Sequence, residues 1–226
     1  YALAAGFLLT EGMLAEPSAI GAISYCPSAE PPNEKNVVDV KLAVGYAFDE
    51  GQLKRNFYAS SSCGVCGKAS IDAVAARAEP VAGDFVVGAK ALCAWPDQMR
   101  QAQAVFAQTG SLHAAALFTP DGELLTVCED VGRHNAVDKV VGAYALRGKR
   151  VPANSALMVS GRTSFEIVQK ALIAGIPFVA AVSAPSSLAV DLAVAGGMTL
   201  VGFVRGSSFN IYAGHERICA DVPIIG

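Results

Sequence analysis

ALMVSGRTSFEIVQKALIAGIPFVAAVSAPSSLAVDLAVAGGMTLVGFV, residues 156–204, is the stretch that decides the fold. From Ala171 to Val204 its only charge is Asp191, and length alone would allow a membrane span. The punctuation argues for a buried α/β core instead. Pro177, Pro185, Ser186, Ser187, Gly196 and Gly197 cut it into pieces of strand and helix length. Ala156–Val159, Pro177–Val182 and Thr199–Val204 read as strands, apolar throughout because parallel strands are covered on both faces. Phe165–Ala174 and Leu188–Ala195 read as helices that stop at Gly175 and at Gly196-Gly197.

Outward from this core the pattern stays regular. Asn135–Ala145 sets Val137, Val140, Val141 and Tyr144 on one helical face. His113–Phe118 and Glu123–Cys128 flank the turn signal Thr119-Pro120-Asp121-Gly122 and read as a hairpin. Phe209–Tyr212 is a further strand candidate. Hairpin, helix, strand, helix, strand, helix, strand implies a three-layer α/β/α unit with right-handed crossovers. Its expected extent is residues 111–226. Residues 1–110 read as a smaller α+β region. There Tyr1–Leu9 is a helix closing near Gly12, and Ile20–Tyr25 and Val37–Phe48 are strands around a Pro-containing loop. Pro96–Thr109 reads as a helix with Pro96 in its first turn.

Composition narrows the function classes. Lys and Arg number 17 against 20 Asp and Glu, a net charge of −3 over 226 residues. That lacks the basic excess of a general nucleic-acid binder. With 53% hydrophobic and 16% charged residues the chain is too apolar to be disordered. Six cysteines are too few for a disulfide scaffold. The start has no Met and no basic segment, so it is not read as a signal peptide, and the natural chain is expected to begin upstream.

Three constellations carry chemistry. The first is Ser60-Ser61-Ser62-Cys63-Gly64-Val65-Cys66-Gly67-Lys68, whose small, polar residues suggest a mobile loop. A zinc site needs two more ligands, and the remaining Cys and His residues are scattered. Disulfide exchange, two inert thiols and sulfur carriage as a persulfide all stay open. The last needs thiolate character, which Lys68 or a helix from Ser70 would supply. The second and third constellations are Glu129-Asp130-Val131-Gly132-Arg133-His134-Asn135 and Ser160-Gly161-Arg162-Thr163-Ser164. Both join a strand to a helix and offer N–H groups and an Arg, the second also hydroxyls, where an anion binds. Helix capping is the plainer alternative, but two such loops with an Arg at equivalent places favour the anion. A fourth segment, Phe203-Val204-Arg205-Gly206-Ser207-Ser208, offers an aromatic ring and a cation next to a close-approach glycine.

Together these segments resemble the FdhD family of formate dehydrogenase accessory sulfurtransferases. The resemblance rests on Thr10-Glu11-Gly12, Ser62-Cys63-Gly64-Val65-Cys66-Gly67, the run Glu129 to Lys139, Ser160-Gly161-Arg162 and Gly202-Phe203, in the family's order. It implies a cytoplasmic sulfurtransferase that takes sulfur from a cysteine desulfurase as a cysteine persulfide. The sulfur goes to the molybdenum cofactor, in its bis guanine dinucleotide form, for use by formate dehydrogenase. Cys63 and Cys66 would be catalytic, with Cys63 favoured as the carrier. The guanine ends would map to Phe203, Val204, Arg205, Gly206, Ser207 and Ser208. The anionic remainder would meet Arg133, His134, Ser160, Gly161 and Arg162. The family's fold is similar to cytidine deaminase, whose zinc ligands would align near His134 and Ser160–Thr163. No cysteine stands at the second position, so no zinc is expected. A homodimer is implied, with neither nucleic acid nor a membrane span. The alternative functions are a non-catalytic cofactor-binding chaperone for formate dehydrogenase and a thiol oxidoreductase.

Overall fold

The computed structural model describes residues 1–48, 81 and 85–219. Ten strands and six α-helices are found among them. In chain order they are α1 (Ala2–Thr10), β1 (Ile20–Tyr25), β2 (Val38–Leu42), β3 (Val87–Gly88), α2 (Ala89–Ala102) and α3 (Ala104–Thr109). Then come β4 (His113–Phe118), β5 (Leu124–Asp130), α4 (Arg133–Ala145), β6 (Ala156–Val159), α5 (Phe165–Ile173) and β7 (Phe178–Ala181). The chain continues through α6 (Ser187–Ala195), β8 (Thr199–Arg205), β9 (Ser208–Ala213) and β10 (Ile218–Cys219).

Six strands form the central sheet in the order β5-β4-β6-β7-β8-β9. Strands β6, β7 and β8 run parallel, while β4 is antiparallel to both β5 and β6. The α/β expectation therefore holds, and β9 returns antiparallel to β8 as a hairpin. Alternation along each strand sorts the core into two halves. Ala115, Leu117, Leu157, Val159, Val179 and Ala181 face one cluster, together with residues of α1, α4, α5 and α6. Ala114, Ala116, Phe118, Met158, Phe178 and Ala180 face the other, together with Leu92, Trp95 and Met99 of α2. The pattern of residues 113–212 does not reveal what covers this second face; α2 does, with Trp95 stacked on Phe118 at 4.9 Å.

Three local expectations change. Helix α2 begins at Ala89, so Pro96 lies inside it rather than in a first turn. The buried stripe Leu92, Trp95, Met99 holds that helix against the sheet despite the donor Pro96 lacks. The helical run also breaks at Gln103 before α3 resumes. Strand β2 ends at Leu42 instead of reaching Phe48, because a turn follows in which Gly45 has φ +83°. Helix α4 starts two residues before Asn135, at Arg133.

Helix α1 crosses α4 through paired glycines. A Cβ at Gly6 would stand 1.7 Å from the Asp138 carbonyl oxygen, and one at Gly142 1.8 Å from that of Ala2. Only glycine permits this backbone approach. It buries an ionic knot between α1, α4 and α5. Lys170 Nζ donates to Thr10 Oγ1 at 3.1 Å, Glu11 Oε1 at 2.6 Å and Asp138 Oδ2 at 3.1 Å. Thr10 in turn donates to Asp138. Burial pushes the Asp138 carboxyl up even against the pull of Lys170 and Thr10. No helix of the described residues is long and apolar enough to cross a membrane.

Candidate functional site on the carboxyl edge of the sheet

The ends of β6, β7 and β8 open on one edge of the sheet, where α/β folds bind ligands. Because β4 runs the other way, its first residue, His113, stands on that same edge beside Asp130 at the end of β5. The edge therefore gathers residues from both predicted loops.

The Glu129–Asn135 loop is held by its own carboxylates. Glu129 accepts from the backbone N–H groups of Val105 at 2.9 Å and Phe106 at 2.7 Å, tying the start of α3 to β5. Asp130 Oδ1 accepts from Gly132 N at 2.8 Å and Asn135 Nδ2 at 3.0 Å, and Lys139 pairs with its other oxygen. Burial alone would raise the Asp130 carboxyl. The hydrogen bonds from Lys139, Gly132 and Asn135 outweigh it and hold the group below its usual range. Asn135 is thus a loop brace, and Gly132 occupies the N-cap position of α4.

The second loop meets the first at Gly161. A Cβ there would lie 3.3 Å from His113 Nδ1 and 3.6 Å from Arg133 Cδ, so the bare backbone lets both side chains close in. Ser160 Oγ accepts from Ala114 N at 2.8 Å and lies 3.4 Å from His113 Nδ1. Arg133 Nε is buried without a partner among the described residues. Ser164 sits at the N-cap of α5 yet makes no cap bond. Its hydroxyl instead meets His134 Nε2 at 3.0 Å, with Glu166 Oε2 4.0 Å from the same nitrogen. Burial and the neighbouring Arg133 hold His134 below its ordinary pKa, against a smaller opposing pull from Glu166. The imidazole is accordingly neutral at pH 7. Burial would raise Glu166; bonds from Ser164 and its own N–H, with smaller charge pulls, outweigh it and hold the carboxyl below its usual range.

The fourth predicted segment closes the β8 end. Phe203 has φ 53°, the only non-glycine left-handed residue among those described, and its N–H reaches Ser183 O at 3.3 Å. Arg205 lies over the Phe203 ring, 5.5 Å from its centroid, and its Nε donates to Val182 O at 3.1 Å. Gly206, φ 55°, and Ser207 make the turn; Ser208 Oγ donates to Arg205 O at 3.3 Å. Val204 is fully buried in the core, so it offers a ligand no side chain. Strand β7 separates β6 from β8, which puts the Ser160 and Arg205 ends two strand spacings, about 10 Å, apart.

Arg162 is exposed, as are Arg205, Gly206, Ser207 and Ser208. The edge thus presents guanidinium groups from three strand ends, the arrangement a polyanion needs. No group of three or more His, Cys, Asp or Glu among the described residues is placed to hold a metal ion. Cys63 and Cys66 lie outside the described residues. Of the thiols that are described, Cys128 is half-buried and burial pushes it up, which disfavours thiolate there. Sequence reasoning left His113 unassigned and missed Glu166, because neither lies in a motif; only strand pairing and helix phase bring them in.

Comparison with known proteins gives the same picture. The FdhD/NarQ family model matches residues 1–219. A protein named sulfur carrier protein FdhD from Streptomyces coelicolor is 57% identical over 224 residues, spanning 96% of this chain and 79% of its own length. Its namesake from Mycolicibacterium paratuberculosis is 54% identical, with 96% and 82% covered. A crystal structure from Desulfotalea psychrophila, provisionally assigned as a formate dehydrogenase accessory protein, superposes with TM-score 0.72 at 28% identity over 96% of this chain and 79% of that one. The family model and the relatives agree, and the chain belongs to the FdhD/NarQ family.

Proposed function

We propose that this protein is a sulfurtransferase that carries sulfur as a persulfide on Cys63, assisted by Cys66, and serves formate dehydrogenase. The observation that carries the reading is the Cys63-Gly64-Val65-Cys66 motif in a chain 57% identical to a protein named as a sulfur carrier. The neighbour provisionally assigned as a formate dehydrogenase accessory protein supports the recipient. The donor is a cysteine desulfurase. The acceptor substrate is the molybdenum cofactor in its bis guanine dinucleotide form, and no resident zinc takes part.

The chemistry is an exchange of S–S bonds. The Cys63 thiolate attacks the outer sulfur of the donor persulfide; a new S–S bond forms at Cys63, the donor S–S bond breaks, and the donor leaves as a thiolate. The Cys63 S–S bond would then break with its electron pair staying on Cys63, which returns as a thiolate, and the outer sulfur would pass to the reduced metal end of the substrate, which supplies the two electrons that make it sulfide. Arg133, Arg162 and Arg205 bind the anionic substrate, and the Phe203–Ser208 turn takes a guanine end. His134, neutral and hydrogen-bonded to Ser164, supplies a polar wall without adding a charge. Two copies working together, in the cytoplasm, fit this reading.

Intact mass after incubation with a cysteine desulfurase and cysteine tests it. The expected gain is about 32 Da, one sulfur, reversed by reductant and absent in Cys63→Ala. No gain in any form would leave a cofactor-binding chaperone as the function. Turnover of a small disulfide without guanine nucleotide would indicate a thiol oxidoreductase.

A further inference from the structure

Beside the carboxyl edge, on the α2–α3 side of the sheet, lies an open cleft of about 460 Å³. That is within the roughly 300–1,000 Å³ of small-molecule sites. It touches the site described above at three residues. His113 and Ser160 line both, and Val182 lines the cleft while its carbonyl accepts from Arg205.

The walls are chemically specific. Arg100 lies flat against Phe106, 3.5 Å from the ring centroid, forming a cationic stacking surface. No carboxylate among the described residues pairs with Arg100. Gln103, 3% exposed, lines the same cleft with its side-chain nitrogen buried and unpartnered among those residues. A buried donor left so is destabilising unless something accepts from it. Met99, Leu112 and Val182 give apolar surface, and His113 supplies a polar edge next to Ser160. The stacking ring is fixed in place. Glu129, first residue of the Glu129–Asn135 loop, accepts from the N–H groups of both Val105 and Phe106.

We propose that this cleft binds a flat, nitrogen-rich heteroaromatic ring bearing an anionic substituent, of the pterin or purine class. A plane with a positive charge, an amide donor for ring acceptors and an apolar floor select that chemistry. The inference rests on the proposed reading only for the source of the ring. A ligand whose nucleotide end occupies the Phe203–Ser208 turn places its next rings across Val182 and into the cleft. Glu129 is then a positioning residue.

The test uses two probes on the full chain: pterin-6-carboxylate, followed by its fluorescence, and GMP, followed by calorimetry. Arg100→Ala and Phe106→Ala are expected to weaken pterin-6-carboxylate at least about tenfold, with unchanged melting because Arg100 is exposed and Phe106 half-buried. Arg100→Lys, which keeps charge without the plane, falls between. If the same variants weaken GMP and not the pterin, the cleft stands with the guanine ring as its occupant. Wild-type affinity of both variants for both probes, or no binding of either probe by the wild-type protein, overturns the proposal. Sulfur loading at Cys63 is read separately: its absence with cleft binding intact sinks the carrier reading and leaves the cleft.

Discussion

Helices α4 and α5 are packed side by side, yet their two ends are built to opposite rules. One turn or more into the helices, Asp138 and Lys170 join Thr10 and Glu11 in a knot where the charged groups answer one another. At the helix starts, Arg133 Nε and Thr163 Oγ1 are buried without partners among the described residues, and Ser164 withholds its hydroxyl from the cap. The closed end orders the molecule. The open end leaves Arg133 Nε and Thr163 Oγ1 unanswered, and such under-satisfied groups in a native structure ask for a functional account.

The largest way to break this contrast is at the closed end. Lys170→Met leaves Asp138 and Glu11 without their cation, and the expected loss is about 3–5 kcal/mol by urea denaturation. Gly6→Ala reaches the same knot sterically by driving α1 off α4. An expected loss of about 3 kcal/mol, at the upper end for overpacking, fits a clash with backbone rather than with a side chain that can turn aside.

At the open end the expected effect moves from stability to binding. Arg133→Gln should weaken GDP about tenfold in calorimetry, as expected for one lost charged hydrogen bond, while shifting stability by less than about 1 kcal/mol. Comparable binding by the variant and the wild type would remove Arg133 from the site. The two equivalent serines sharpen the point. Ser186 caps α6 by accepting from Ala189 N at 3.2 Å, so Ser186→Ala should cost about 1 kcal/mol. Ser164→Ala has no cap bond to lose, and its cost in the same melt should come instead from the bonds to His134 and Glu166 and shrink in a His134→Gln background.

The smallest effect is acid sensitivity. His134 is depressed by burial and Arg133, so the folded protein resists protonating it while the unfolded chain takes a proton near its ordinary value of 6.5. Its contribution is complete above that pH and is lost as pH falls through it. Replacing it, as in His134→Gln, should flatten the stability curve below pH 6.5. An identical acid limb in the variant would mean that His134 is not held neutral.

The contrast between the two ends also explains what was legible in the sequence. The strand-to-helix junctions carrying Arg133 and Arg162 could be read because apolar runs give way there to Gly and polar residues, although β5 runs on to Asp130 and Arg133 already opens α4. The fold of residues 113–212 was readable for the same reason. Thr10-Glu11-Gly12 could be quoted but not understood, since its partner Lys170 is 159 residues from Glu11. Pro96 misled because a local rule about helix starts lost to the buried Leu92, Trp95 and Met99 stripe. Ser164 and Ser186 look alike in sequence, and only the tertiary position of His134 separates them.

The reversed direction of β4 has an evolutionary corollary. In a wholly parallel sheet, only segments that follow strands reach the ligand edge. Here the short approach to a strand, Gly110-Ser111-Leu112, arrives there too, and all three residues line the cleft. It is a connector free of the constraints on the two Arg-bearing loops. Gly110 is tied to its left-handed turn at the end of α3, φ +67°, but drift at Ser111 and Leu112 can reshape the cleft wall while both Arg-bearing loops stay fixed, which makes that pair the natural place to look for divergence and the first to randomise in an engineered library.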